Sequence, residues 1–110
     1  MLPKKWRIKL ADFNQNPKPP IKRFSPNFNL FIKKSNTEGL KFIIHVPFSL
    51  DKRAVKRNQT RRRIEQIILE NFNNLKGKGE ALIRTRKIID KNNRRVMGEE
   101  LKRILNNEFH

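Results

Sequence analysis

Residues 51–75 read DKRAVKRNQTRRRIEQIILENFNNL, the longest periodic stretch in the chain. Its second half carries five apolar residues at offsets of zero, three, four, eight and eleven positions: Ile64, Ile67, Ile68, Phe72 and Leu75. Such spacing places them on one stripe of a helix. The pattern predicts a long helix whose second half packs on the rest of the protein. The glycines within residues 76–79 are typical of a helix C-terminus and end it.

The first half of this helix has a different character, because it is almost wholly basic and polar. Seven basic residues and one asparagine are the candidates for binding: Lys52, Arg53, Lys56, Arg57, Asn58, Arg61, Arg62 and Arg63. No acidic residue interrupts the set. Arg57 and Arg61 are four positions apart and share a helix face, as do Asn58 and Arg62. We predict that these residues bind a nucleic acid, since a guanidinium donates two parallel hydrogen bonds to a phosphate. A solvated charged surface is the alternative.

A short helix is predicted over residues 7–15, with its apolar side formed by Ile8, Leu10, Ala11 and Phe13. The residue before a proline is pushed out of the helical region, so Asn16-Pro17 ends this helix. The prolines of residues 17–20 (PKPP) then predict a stiff, extended connector.

Two strands are predicted after the connector. Phe28, Leu30 and Ile32 recur at every second position, which is the period of a half-buried strand. Residues 40–46 (LKFIIHV) predict the second strand. Because the polar residues 34–39 (KSNTEG) join the two, we predict an antiparallel hairpin.

The remaining elements are a strand over residues 80–86 (EALIRTR) and a final helix over residues 95–107. The inner face of that helix is predicted to consist of Val96, Leu101, Ile104 and Leu105, with Met97 beside them. The order helix, strands, helix, strand, helix predicts one α/β domain over residues 1–110. We expect an α+β two-layer sandwich of three helices on a small mixed sheet.

Charge restricts the class of partner. The 110 residues include 27 Lys and Arg against 10 Asp and Glu, a net charge of +17. Self-repulsion of this size favours a polyanionic partner, and nucleic acid is the commonest one in cells. No apolar run approaches the length of roughly 18 residues that a membrane span needs. We therefore expect a cytoplasmic nucleic-acid-binding protein with no membrane contact.

Residues with catalytic chemistry are few and scattered. Cysteine is absent, which excludes disulfides, thiolate catalysis and cysteine-based zinc sites. No P-loop appears, and the carboxylates show no constellation for two-metal catalysis. His45, alone in a strand, is interpreted as hydrogen-bonded scaffold. We therefore predict that the protein has no catalytic residue and no metal site of its own.

The basic helix is similar to that of the ribonuclease P protein components. Members of this family carry an arginine–asparagine pair and a basic pair three residues later, usually with an alanine shortly before. This chain has residues 57–58 (RN) followed by residues 61–62 (RR), with Ala54 before them. Weaker similarities extend along nearly the whole chain, from residues 2–5 (LPKK) to the final amphipathic helix.

Three positions depart from the family's pattern. Glu65 stands where the family usually has a further arginine, three positions after the basic pair. Pro17 stands where the first helix usually has a second aromatic residue. Residues 47–49 (PFS) replace a Ser-Lys-Lys segment that commonly follows the second strand. These departures indicate a divergent member.

The resemblance implies a fold like the second domain of a small-subunit ribosomal protein and a role as the protein subunit of ribonuclease P. It implies that Arg57, Asn58, Arg61 and Arg62 contact the catalytic RNA. It further implies that a cleft lined by Phe13 and Phe31 accepts the single-stranded 5′ leader of precursor tRNA. Removal of that leader matures the tRNA 5′ end. Cleavage is then expected from the RNA with bound Mg²⁺, with the protein as a monomer in a 1:1 complex.

Several interpretations stay open. A ribosomal-type structural RNA-binding protein without a role in cleavage has the same composition, and a DNA-binding module would place its basic helix in the major groove. Phe31 lies on the strand face opposite Phe28, where it lines the cleft or packs beneath the first helix. Phe13 is open to core packing as well as leader contact. Trp6 is open between stacking on RNA and pinning the N-terminus.

Overall fold

A computed structural model describes residues 2–34 and 39–109, which form a four-stranded sheet and three α-helices. The strands are β1 (Ile21–Phe24), β2 (Phe28–Lys34), β3 (Leu40–His45) and β4 (Gly79–Thr85). The helices are α1 (Leu10–Gln15), α2 (Ala54–Asn71) and α3 (Arg94–Glu108). The predicted fold class, helices on a small mixed sheet, is confirmed.

The sheet has the order β1-β2-β4-β3, so β4 lies between the two predicted hairpin partners. It is antiparallel to β2 and parallel to β3. The predicted hairpin of β2 with β3 is therefore wrong. Parallel neighbours need a long crossover connection, and α2 supplies it between β3 and β4. Most of the predicted turn, residues 35–38, lies outside the described residues.

The sequence pattern did not predict β1. Its residues, IKRF, place two charged side chains between Ile21 and Phe24, so no alternation marks a strand. It pairs antiparallel with β2, with Ile21 opposite Ile32. The Glu100 carboxylate on α3 fixes the turn between the two strands, because it accepts the Asn27 backbone N–H at 2.9 Å. The hairpin of this sheet is therefore β1 with β2.

The core lies between one face of the sheet and helices α2 and α3. From β2, Phe28, Leu30 and Ile32 are fully buried. The helices contribute the apolar residues that face them: Ile64, Ile67, Ile68, Met97, Leu101 and Leu105. Leu75 is buried and Phe72 packs against this cluster, as predicted for the apolar stripe. The predicted end of the long helix at residues 76–79 is wrong, because α2 ends at Asn71 and is followed by a 3₁₀ turn, Phe72–Asn74, with Leu75 after it in extended backbone.

Val96 is the exception on α3. The sequence places it on the inner face, but its side chain is 63% exposed, so that assignment is wrong. Met97 is fully buried instead and lies four positions before Leu101 and eight before Leu105, so these three share a stripe. One residue step turns a helix by about 100°, which carries Val96 out to solvent.

The first helix, α1, lies on the sheet face opposite the core and is fastened there by Lys33. The Lys33 Nζ donates to the carbonyl oxygens of Phe13 at 2.7 Å and Asn16 at 3.1 Å. Both carbonyls lie at the C-terminal end of α1, where the Phe13 oxygen also accepts the Asn16 backbone N–H at 3.3 Å, so the lysine adds a charged cap to this end. Phe13 is the buried residue of α1. Leu10 is 53% exposed and Ala11 is exposed, so the predicted apolar side is wrong at these two positions.

Candidate nucleic-acid interface

The N-terminal half of α2 is a basic surface. The predicted RNA-binding residues divide by exposure: Lys52, Arg53, Asn58, Arg61 and Arg62 are exposed, and Lys56, Arg57 and Arg63 are half-buried. In this half of the helix Thr60 is fully buried, and its Oγ1 accepts the backbone N–H of Ile89 at 3.1 Å. That hydrogen bond fixes the loop after β4 beside the basic helix.

A groove with a volume of about 1130 Å³ lies between α2 and a wall formed by this loop and the first residue of α3, Arg94. We call it the α2 groove and the wall opposite α2 its loop wall. Its cations come from both walls: Arg53, Lys56, Arg62, Arg63, Lys91 and Arg94. Gln59, Gln66 and Asn92 add amides that can bond to phosphate or sugar oxygens. Sequence reasoning found the helix wall and missed the loop wall, because Lys91 and Arg94 lie in no recognisable basic motif.

Both acidic residues that line the α2 groove are engaged by the protein itself. Asp51 accepts hydrogen bonds from Arg53 Nε at 3.1 Å and Nη2 at 2.9 Å, and this pairing lowers the pKa of Asp51 to about 2. The Asp90 carboxylate accepts the backbone N–H groups of Asn92 and Asn93 at 2.8 and 3.0 Å. The other cations therefore give the groove a positive potential, which suits a phosphate backbone.

Arg57 is engaged differently from its neighbours. Its Nη1 donates to the carbonyl oxygens of Asp51 at 2.9 Å and Lys52 at 3.0 Å. Its guanidinium carbon lies 4.8 Å from the centroid of the Phe48 ring. Arg57 thus clamps the turn that leads into α2, whereas Arg61, one helical turn later, is exposed.

Glu65, the departure within the basic helix, is buried against the N-terminal segment. It is 5% exposed, and its Oε2 accepts the backbone N–H of Leu2 at 2.8 Å. Trp6 stacks on Phe72 with ring centroids 3.6 Å apart. Glu65 and Trp6 therefore both hold the N-terminal segment, against α2 and against the turn that follows it, which is the pinning role left open for Trp6.

The sheet face opposite the core has an apolar floor. Phe31, Leu82 and Ile43 lie side by side across β2, β4 and β3, and all three are half-buried. Phe24 on β1 is 64% exposed, and its ring meets Phe31 edge to face with centroids 6.0 Å apart. These four residues define the open sheet face, and α1 forms a wall at one end of it.

The two residues predicted to line a leader cleft differ in accessibility. Phe31 contributes to the floor of the open sheet face, where a base can reach it. Phe13 is 3% exposed, and the Lys33 ammonium lies 4.5 Å from its ring centroid. In this structure Phe13 is therefore part of the wall, and a ligand reaches its ring only if Lys33 or α1 moves.

His45 and Arg84 form a polar row beside this floor. Arg84 Nε donates to His45 Nδ1 at 3.1 Å, so that nitrogen carries no proton. Partial burial and then the charge of Arg84 lower the pKa of His45 below its ordinary value. The ring is therefore neutral at pH 7, and the interpretation of His45 as hydrogen-bonded scaffold fits this geometry.

Acidic side chains are dispersed through the described residues. Within residues 2–34 and 39–109, no three His, Asp or Glu side chains form a cluster able to hold a metal ion. Glu80, for example, is 7% exposed and lies between Lys33 and Lys41 of the neighbouring strands. In the same residues, no helix combines the length and apolar character required to cross a bilayer.

A basic α+β domain with a positive groove on one side and an aromatic sheet face on the other belongs to the class of RNA-binding proteins. Comparison with protein families identifies the family within this class. The family model described as Ribonuclease P matches residues 2–108, and the chain belongs to the ribonuclease P protein family. The family predicted from the basic helix is confirmed.

Solved structures of bacterial ribonuclease P proteins share this fold. The RNase P protein from Thermotoga maritima superposes with a TM-score of 0.75 at 18% identity, over 92% of this chain and 96% of that one. The RNase P protein from Staphylococcus aureus gives 0.65 at 18% identity, over 93% and 86%. A mutant of the Staphylococcus aureus RNase P protein, described as defective in mRNA degradation activity, gives a TM-score of 0.69 at 19% identity, over 91% of this chain and 81% of that one. A sequence search of curated proteins found no match.

Membership of this family also supports the function predicted from the sequence. The chain is a ribonuclease P protein subunit, which implies an RNA partner and a role in tRNA 5′ maturation. The alternative of a ribosomal-type structural RNA-binding protein is not favoured.

Proposed function

We propose that this protein acts as the non-catalytic subunit of the ribonuclease P holoenzyme, binding two RNAs on two separate surfaces. The catalytic RNA binds at the α2 groove and the adjoining basic half of α2. The 5′ leader of precursor tRNA binds on the open sheet face. The observation that carries the proposal is this separation: α2 packs on the core side of the sheet, and the open sheet face is the other side.

Docking of the catalytic RNA is supported by charge and by rigidity. The α2 groove has cations on both walls, and the Thr60–Ile89 hydrogen bond holds those walls together. A phosphate backbone lying in the groove releases counterions from each phosphate that is neutralised. The exposed Arg61 and Asn58 extend the positive surface beyond the groove.

Leader binding is supported by the residue types on the open sheet face. A leader differs in sequence between tRNAs, so its site has to tolerate every base. Aromatic rings do so, because each base has a face that can stack. Phe31 and Phe24 supply such rings, and Lys22, paired opposite Phe31, supplies a charge for the backbone. Phe13 contributes to the same site as its wall.

Cleavage is assigned in this proposal to the catalytic RNA and the Mg²⁺ bound to it. The protein supplies positive charge that offsets repulsion between the two RNAs, which lowers the Mg²⁺ concentration that the assembly needs. A net charge of +17 also opposes self-association, so the same proposal includes a monomer bound 1:1 to the RNA. The proposal also includes the cytoplasmic location expected from the sequence.

Reconstitution tests the proposal directly. Cleavage of a precursor tRNA by a bacterial ribonuclease P RNA is followed at low Mg²⁺, with and without the protein. We expect cleavage to appear only when the protein is added. Tight RNA binding by a folded protein with no stimulation of cleavage would instead indicate a structural RNA-binding role.

A pair of double variants then locates the docking surface. Lys91→Ala with Arg94→Ala removes two cations from the loop wall of the α2 groove, and Lys76→Ala with Lys78→Ala removes two exposed cations elsewhere. Binding of the catalytic RNA is measured against salt concentration. The loop variant should reduce the slope of log K against log salt by about 2, roughly one for each phosphate that is no longer neutralised. Equal slopes of log K against log salt for the two double variants would show that the loop wall is not part of the interface.

A further inference from the structure

Phe48 lies in the short turn between β3 and α2 and takes no part in the core. It begins the 3₁₀ turn Phe48–Leu50, and its side chain is 61% exposed. Among the described residues, the hydrophobic cluster and the residues packed against it do not include Phe48. A phenyl ring left this exposed adds nothing to the hydrophobic core, so the part of its surface that faces solvent is available for binding.

The ring of Phe48 is held in a fixed setting by Arg57. The guanidinium carbon of Arg57 lies 4.8 Å from the ring centroid, within the range of a cation–π interaction. Arg57 is itself fixed, because its Nη1 donates to the carbonyl oxygens of Asp51 and Lys52. The guanidinium therefore backs one face of the ring, as one layer of a stack that a further planar group can extend.

The surroundings of Phe48 specify the chemistry of that planar group. Lys52 and Arg53 are exposed in the same turn, and the basic residues of α2 follow. A second copy of this chain would bring like charges together, so it does not fit this surface. RNA fits, because it carries phosphates for the cations and unpaired bases that stack on aromatic and guanidinium planes.

We propose that Phe48, backed by Arg57, is a stacking platform for one unpaired base of the catalytic RNA. The inference rests on the proposed function and adds a contact that the basic helix alone does not provide. Binding at this point depends on stacking area and not on counterion release.

Substitutions of Phe48 test the platform, with affinity for the catalytic RNA measured over a range of salt concentrations. Phe48→Ala should weaken binding by about tenfold, a value within the range for loss of one base–aromatic stack. Its salt slope should equal that of the wild type, because every phosphate keeps its cation. Phe48→Trp should bind at least as tightly as the wild type, and Phe48→Leu, apolar but without an aromatic face, should behave like Phe48→Ala.

Val96→Ala is the matched control, since Val96 is similarly exposed and lies on α3 away from the platform. It should bind like the wild type. Thermal unfolding of each variant verifies that the exposed substitutions leave the fold intact. If Phe48→Leu binds like the wild type, an apolar contact and not base stacking accounts for the residue, and the proposal is wrong.

Two further outcomes separate this inference from the proposed function. If the wild type stimulates cleavage and Phe48→Ala binds the catalytic RNA equally well, the platform is absent while the subunit role stands. If Phe48→Ala weakens only the binding of precursor tRNA by the assembled holoenzyme, the base belongs to the substrate and the assignment to the catalytic RNA is overturned. Absence of any stimulation by the wild type counts against the proposed function itself.

Discussion

Glu65 demonstrates at the residue scale how one substitution in a basic helix can serve the fold. Its carboxylate accepts the backbone N–H of Leu2 at 2.8 Å, and both residues are buried. A carboxylate buried to this degree is stable only with a hydrogen-bond partner. The sequence identified Glu65 as a departure within the RNA-binding helix, but the partner lies 63 residues away in the chain and no local pattern reveals it.

We expect Glu65→Ala to lower the free energy of unfolding by about 2 kcal/mol, because it removes a charge-assisted hydrogen bond and leaves a buried N–H without a partner. Urea denaturation measures the change. Glu70→Ala is the control, since Glu70 is exposed and pairs with Lys102 at 3.5 Å, a contact worth about 0.5 kcal/mol. Equal losses for the two variants would contradict the role given to Glu65.

At the scale of single elements, α1 depends on a residue of β2. It has only six residues, far fewer than the roughly 12 to 15 that an isolated helix needs for stability in water. Two hydrogen bonds from the Lys33 ammonium to its terminal carbonyls fasten it to the sheet. The position of the wall beside the open sheet face is therefore set by Lys33.

Lys33→Met keeps most of the apolar stem and removes the ammonium, so we expect α1 to detach from the sheet. The amide of Phe13 should lose protection from hydrogen exchange, while amides of Ile64 and Ile68 in α2 stay protected. Binding of leader-bearing precursor should weaken with it. Lys34→Met, at the neighbouring exposed position, should leave the Phe13 amide unchanged. Retained protection of that amide in Lys33→Met would show that α1 docks by other contacts.

The sequence predicts those elements whose signal is local. The apolar stripe from Ile64 to Leu75 and the alternation from Phe28 to Ile32 each occupy one short window. The strand forms where predicted, and the helix forms but ends at Asn71, before the last two residues of the stripe. Pairing of strands is not local: β4 enters the sheet between β2 and β3 because the α2 crossover returns the chain beside β3. β1 has no alternating pattern and was missed for that reason.

The whole molecule combines two surfaces that differ in how far the sequence predicts them. The basic half of α2 is continuous in sequence, so its residues are recognisable at once. The α2 groove also needs Lys91 and Arg94, which the fold brings opposite α2 through the Thr60–Ile89 hydrogen bond. The open sheet face is assembled from Phe24, Phe31, Leu82 and Ile43 on four different strands, so only the strand order reveals it.

The central claim is that these surfaces lie on opposite sides of one sheet. It predicts that substitutions on the two surfaces affect different binding steps. Substitutions in the α2 groove should affect assembly with the catalytic RNA and leave leader recognition intact. Substitutions on the open sheet face should do the reverse. Arg62 and Phe31 represent the two surfaces, since Arg62 is exposed at the groove and Phe31 lies on the floor of the sheet face.

The most direct measurement compares the affinity of the reconstituted holoenzyme for leader-bearing precursor and for mature tRNA, in the wild type, Phe31→Ala and Arg62→Ala. Phe31→Ala should weaken precursor binding by about tenfold and leave mature tRNA binding unchanged. Arg62→Ala should weaken assembly with the catalytic RNA and keep the preference for precursor, once the holoenzyme is saturated with protein. Equal losses for precursor and mature tRNA in Phe31→Ala would contradict the account and place Phe31 among the packing residues.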